Sequence, residues 1–313
     1  MNRKKFFALG AAGLAGASLP IKAEEAPTQP KFKRWQNGQS PWPICLDTAT
    51  IRPASLEDKV SIAAEAGYDA IEPWDRELIE YENNGGNLEK LSERIKDLGL
   101  FVPSVIGMWN AIPPADDAFA ASLPDTRNRM RMAKAIGSEY IQTIPNTVGN
   151  GYDVKQVAKR YRQIIEIGKS EFGLKPSLVF VKFFPLKTMG QAMQVALDAD
   201  HPEASIIPDT FHMYISEGGF NGLKQMRGNA ISIFQFADAP ATPEPDELTD
   251  QQRVFPGDGI LPLPEILRDL YETGFKGCIS LELYNPEYHQ RDLLEVAKEG
   301  LEKTMKVIKE AGV

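Results

Sequence analysis

Residues 177–185 read SLVFVKFFP, and the fold turns on how this stretch is understood. An uninterrupted apolar run of strand length, rather than an alternating one, is what a parallel strand covered on both faces requires. Similar runs recur along the chain: 41–47 (PWPICLD), 68–74 (YDAIEPW), 100–109 (LFVPSVIGMW), 139–145 (EYIQTIP), 204–209 (ASIIPD), 231–238 (ISIFQFAD) and 278–284 (CISLELY). Between them lie segments with apolar residues three and four apart. ASLEDKVSIAAEAGY opens on Ser55 as an N-cap, NLEKLSERIKDLGL on Asn87, and DTRNRMRMAKAIG, DVKQVAKRYRQIIEIGKSEFG, LKTMGQAMQVALDAD, GGFNGLKQMRG, PLPEILRDLYETG and DLLEVAKEGLEKTMKVIKEAG follow. Eight strand–helix alternations predict an α/β fold, a single-domain (β/α)8 TIM barrel over 41–313. A doubly wound open sheet would carry a glycine-rich phosphate loop after its first strand. Here that strand is followed by TATIRPAS, which has no glycine.

The N-terminus is of another kind. Arg3, Lys4 and Lys5 precede an apolar stretch from Phe6 to Leu19, then small residues and charge. Residues 1–23 read as an export signal of twin-arginine-like type with Lys4 at the second arginine, although the general secretory route fits as well. The expected location is therefore periplasmic or otherwise exported. Residues 24–40 read as a linker or N-terminal arm. Removing 1–23 removes Arg3, Lys4, Lys5 and Lys22 and no acid, which leaves 31 basic and 43 acidic side chains, a net charge of −12. An acidic surface argues against nucleic acid as a partner, and no other segment is long and apolar enough to span a bilayer. Two cysteines, Cys45 and Cys278, form neither a disulfide framework nor a cysteine zinc site.

In such a barrel chemistry sits at the C-terminal ends of the strands. The residues there are Asp47, Glu72, Trp109, Asn146, Lys182, Asp209 with His212, Gln235 and Glu282. Asp47 and Asn146 are as readily helix caps as functional groups. Lys182 stands out, because an ammonium beside a buried strand needs acidic partners or a task.

The segments SLVFVK, IIPDTFHMY, IFQFADAP, RVFPGDG and GFKGCISLELYNPEY, in that order, resemble the xylose-isomerase-like barrel superfamily of sugar (phosphate) isomerases and epimerases, with which the type 2 AP endonucleases are grouped. The resemblance covers about 41–311. It implies a divalent metal held by Glu, Asp, His and Glu on strands five to eight, with the glutamates moving a proton at a sugar carbon. Carried over, Asp209 and Glu282 match as carboxylates, and His212 and Arg253 match as substrate contacts. Lys182 falls where the first glutamate is expected and Gln235 where the histidine is. A protonated lysine is no ligand and a glutamine oxygen a weak one, and the chain has only His201, His212 and His289. The expected cofactor is therefore none, with a divalent ion (Mn, Co, Mg or Zn) at Asp209, Gln235 and Glu282 as the alternative that the resemblance supplies.

Three carboxylates and a divalent ion sum to −1, as do Lys182, Asp209 and Glu282. The expectation is that Lys182 replaces the metal, facing Asp209 and Glu282 across the mouth. Glu282 would move the proton beside a carbonyl, with Lys182, Asp209 and His212 completing the catalytic set. Arg253, Gln235, Trp109 and Glu72 would bind a small sugar or keto-sugar, the expected partner. The activity so read is that of a sugar isomerase or epimerase. A non-catalytic exported sugar-binding or accessory barrel, or a lyase or hydrolase acting on oxidised sugars, are the alternatives.

Overall fold

The computed structural model describes residues 35–113, 115–145, 153–216 and 218–313, which form one compact unit. The export segment 1–23 and Asn146 lie outside the described residues. Eight short parallel strands line up with the eight apolar runs: β1 Ile44–Asp47, β2 Ala70–Glu72, β3 Ser104–Val105, β4 Tyr140–Thr143, β5 Lys175–Val179, β6 Ile206–Ile207, β7 Phe234–Phe236 and β8 Ile279–Leu281. Ladders run 2-1-8-7 and 3-4-5-6. Single bridges join the two arcs, Ala70 to Phe101 and Trp74 to Ile106 on one side, Ile206 to Ile231 and Asp209 to Gln235 on the other. Closure leaves no free sheet edge, and the predicted barrel is what forms.

The helices are α1 Leu56–Ala66, α2 Asp75–Asn83, α3 Leu88–Asp97, α4 Asp116–Ala135, α5 Val154–Ile167, α6 Met189–Asp198, α7 Thr210–Ile215, α8 Leu263–Glu272 and α9 Leu293–Ala311. Ser55 and Asn87 cap α1 and α3 as read from the sequence, accepting from the backbone N–H of Asp58 and Lys90. GGFNGLKQMRG is the exception. It forms only 3-10 turns, Leu223–Gln225 and Gly228–Ala230, because the helix after β6 is α7, already started by the Asp209 cap. The described end of the predicted arm, 35–40, folds back in an antiparallel bridge between Trp35 and Ser40, and Gln36 donates to Asp69 at 2.8 Å.

Strand alternation decides what reaches the barrel axis. Ile44 and Leu46 belong to the large apolar core that also takes in the helices. Cys45 joins Ala70 and Cys278 in a small separate cluster. Hydroxyls fill more of the interior: Ser177 and Ser232 are 2.6 Å apart, and Ser205 donates to Ser177 at 2.9 Å. A buried hydroxyl without a partner is costly, so each is tied to the next. Both cysteines are free and buried, as core packing requires.

Candidate active site

Asp209 shows how the fold prepares a functional group. It ends the sixth strand run and caps α7, its Oδ1 accepting from the N–H of Phe211 at 2.8 Å and of His212 at 3.0 Å. Those bonds fix the carboxylate and leave Oδ2 for a cation. Asp47 plays the same local part after β1, accepting from Ala49 N at 2.6 Å and from the Trp74 indole at 3.2 Å, so its capping role is real.

The cation that meets Asp209 is Arg253. It is 1% exposed, with Nη2 2.8 Å from Asp209 Oδ2 and 2.8 Å from Asp250 Oδ1, and Nη1 3.1 Å from Glu282 Oε2. Its place is built by RVFPGDG. Val254 bridges Asp238, and the Asp238 carboxylate then accepts from the N–H groups of Gly257, Gly259 and Leu261 at 2.9–3.1 Å. Gly257 has φ +86°, and a Cβ at Gly259 would lie 2.2 Å from the Ala239 carbonyl oxygen, so both glycines are required. Asp250, three residues before Arg253, closes the turn from below.

Glu282 completes the polar wall. Its Oε1 accepts from Gln235 at 3.0 Å and from the Tyr284 hydroxyl at 2.7 Å. His212 places Nε2 3.4 Å from Asp250, while its Nδ1 is buried without a hydrogen-bond partner. Arg253 Nη1 also lacks a hydrogen bond of good geometry despite its approach to Glu282. The opposite wall is apolar: Ile144, Val179 and Val181 cluster with Trp109 and Phe184. Trp109 stacks on Trp74 with centroids 5.5 Å apart, and Tyr284 meets Trp74 edge-on. Together these residues enclose a cavity of about 220 Å³, the size for one small molecule rather than a polymer.

Burial sets the protonation states. It pushes the His212 imidazole below its ordinary value, and the Arg253 and Lys182 charges reinforce this against Asp209 and Asp250, so the ring is neutral. Burial pushes the Glu282 carboxyl well up. The Arg253 charge opposes this, but Asp47 and Asp209 add to it, so Glu282 takes up a proton more readily than a free carboxyl does. Burial works on Asp209 in the same direction, yet Arg253 and then His212 outweigh it and keep it ionised. Deeper in the barrel burial lifts Asp47 to about 8, with the Glu72 charge next, and lifts Glu72 to about 7.

Several expectations need correction. Lys182 does not face Asp209 and Glu282. β5 ends at Val179, which lines the cavity together with Val181. Lys182, three residues on, turns away to donate to the Pro245 carbonyl at 2.7 Å, with Asp246 at 3.4 Å. The reason is partnering: there the half-buried ammonium has a loop carbonyl and an exposed carboxylate, and deeper in it would compete with a guanidinium that already meets Asp209, Asp250 and Glu282. Glu72 is not a lining residue. It is fully buried, accepting from Gln142 at 2.8 Å and Ser280 at 2.7 Å, and serves as the polar floor under the cavity. His289 bonds the Ala49 carbonyl, and His201 faces Glu166. Gln235, Trp109, Asp209, His212, Arg253 and Glu282 all line the cavity. Sequence reasoning missed Gln142, Tyr284 and Asp250. The last had a signal, since an acid three residues before the motif arginine is at ion-pairing distance in a turn.

The metal-binding chemistry that the resemblance implies does not fit this donor set. Val179 cannot ligate, Gln235 gives its amide NH2 to Glu282, and the two carboxylates share a guanidinium. Among the described residues no group of three or more His, Cys, Asp or Glu side chains is arranged to hold a metal ion. Lys182→Met is expected to change kcat/KM by less than about fivefold, since its carboxylate partner Asp246 is exposed and such a pair contributes about 1 kcal/mol at most. Steady-state kinetics check this, and a hundredfold loss would return the ammonium to the mouth.

The chain is similar to several known proteins of one fold. An inosose isomerase of Halalkalibacterium halodurans is 26% identical over 285 residues, covering 85% of this chain and 96% of the relative. A 3-dehydroshikimate dehydratase of Pseudomonas putida is 22% identical over 251 residues, 79% of this chain but 39% of that longer enzyme. Among solved structures, the IOLI protein with a bound zinc atom superposes with TM-score 0.78 at 23% identity, covering 86% of this chain and 99% of that one. An L-ribulose 3-epimerase superposes with TM-score 0.70 at 19% identity, covering 86% and 95%. A family model described as a xylose isomerase-like TIM barrel matches residues 60–310, and the chain belongs to that family.

Proposed function

We propose that this chain moves a proton at the carbon beside the carbonyl of a small polyhydroxylated ketone or aldehyde, with Arg253 supplying the positive charge. Isomerisation and epimerisation both proceed this way, and a dehydration begins with the same step. The observation that carries the reading is a pair of buried nitrogens without a well-formed hydrogen bond, His212 Nδ1 and Arg253 Nη1 (the latter 3.1 Å from Glu282), on residues that line one small cavity. Buried polar atoms without partners are rare in folded proteins, and here a substrate oxygen would satisfy them.

The assignment follows from environments that push two groups in opposite directions. His212 is neutral, and with its Nε2–H toward Asp250 the Nδ1 lone pair is free to accept a proton. Burial pushes the Glu282 carboxyl up, which suits it to take up and deliver a proton. Arg253 faces the negative charge that grows on the substrate oxygen, already oriented by Asp209 and Asp250, so no reorganisation is needed as the charge appears. Relatives that are inosose isomerases, an epimerase and a dehydratase support the class of chemistry.

The test is a panel of keto- and aldo-sugars and inososes incubated in D2O and followed by NMR. At least one member should exchange a single carbon-bound proton, at a rate unchanged by EDTA. Exchange that EDTA stops, and that Mn, Co or Zn restores, would overturn the role given to Arg253. No exchange with any member would favour a barrel that binds without turning over.

A further inference from the structure

The aromatic wall of the cavity carries two cations on its other contacts. The Arg76 guanidinium lies 4.1 Å from the Trp74 ring centroid, and that of Arg52 lies 5.2 Å from the Tyr284 ring. Trp74 and Tyr284 pack edge-on at 6.0 Å and both line the mouth cavity. Arg52 and Arg76 are exposed, and both also line an open groove of about 1000 Å³ formed by the segments after β1 and β2. Of the cations nearby, Lys59 is matched by Glu77 and Arg94 by Glu57 at 3.8 Å, while Lys90, also in the groove, has no carboxylate at ion-pair distance among the described residues. Arg127, Arg131 and Arg291 each hold a carboxylate as well. Among the described residues Arg52 and Arg76 have no carboxylate at ion-pair distance, in a chain of net charge −8.

A guanidinium lying over a ring is oriented by it, while the N–H groups along its edge stay available for a planar or tetrahedral oxyanion. We infer that the substrate carries an anionic group, held by Arg52 and Arg76 in the groove, while its carbonyl end enters the mouth cavity past Trp74 and Tyr284. The position of the carbonyl end rests on the function proposed above. The chemistry shared by carboxylate, phosphate and sulfate substituents is what the arginines recognise. Glu57 and Glu80 also border the groove, so the anion is placed beside the two arginines and not along the groove as a whole.

Matched sugars separate these cases: a keto- or aldohexose, its uronic acid, its phosphate ester and its sulfate ester. Binding is measured by calorimetry and turnover by deuterium uptake, for the wild type and for the Arg52→Met/Arg76→Met double variant, with melting curves to confirm folding. At least one anionic member should bind about tenfold or more tightly than its neutral parent, and the double variant should lose that preference. The preference should also shrink as salt rises. Which anion gains most identifies the substituent. Equal affinity for neutral and anionic members, a preference that survives the double substitution, or no binding by any member would overturn the inference. Anion preference without deuterium uptake would sink proton transfer and leave this site standing, and uptake from neutral sugars alone would do the reverse.

Discussion

Arg253→Met should abolish measurable turnover and lower the melting temperature by about 10 °C. The residue is 1% exposed and lies within 3.1 Å of Asp209, Asp250 and Glu282. Removing one partner of a buried ion pair costs about 3–5 kcal/mol, because the charge left behind has neither water nor a counter-ion. In a domain of this size each kcal/mol moves the midpoint by about 2–4 °C. The stability part can be isolated with a second substitution. Arg253→Met with Asp209→Asn removes both charges, and most of the lost stability should return while activity should not. Calorimetric melting of the two variants decides it. If the single variant melts like the wild type, the guanidinium is not buried among these acids.

Glu282→Gln should leave the fold in place and reduce deuterium exchange by about 10²–10⁴-fold, the usual scale for a lost acid–base group. Glutamine keeps the shape, and its oxygen can still accept from Tyr284 and Gln235. What it loses is the ability to take up and give off a proton at the raised pKa of the buried carboxyl. Only one of the three acids around Arg253 is changed, so the substitution should cost less stability than Arg253→Met. A large drop in melting temperature with near-normal exchange would mean that Glu282 is a structural member of the ion network only.

The barrel was legible because each strand lies in a short, mostly apolar run and these runs alternate with capped helical segments, GGFNGLKQMRG excepted. Asp209, His212, Gln235, Arg253 and Glu282 were legible too, through their order and spacing. From the sequence Lys182 is expected to face Asp209 and Glu282; in the structure the cation between those two acids is Arg253. In SLVFVKFFP the cavity is lined by Val179, Val181 and Phe183, while Lys182 between them meets the Pro245 carbonyl, a loop contact that the local pattern does not encode. Arg253 lies after a long loop with no strand periodicity to aim it. Its direction is set by Asp238 and two glycines, contacts between segments that no local pattern encodes. Glu72 misled for a similar reason, since its partners Gln142 and Ser280 are 70 and 208 residues away.

A cation joined to the chain by peptide bonds cannot be titrated out by chelators, displaced by a competing metal or diluted away. It also brings one unit of charge, spread over three nitrogens, where a divalent ion concentrates two. Such a centre polarises a carbonyl less strongly, so the range of compounds it can activate should narrow toward those whose C–H bond is already acidified by neighbouring oxygens. Independence from metal supply and a restricted choice of chemistry would then have the same origin, the guanidinium that Asp209 and Asp250 hold in the barrel mouth.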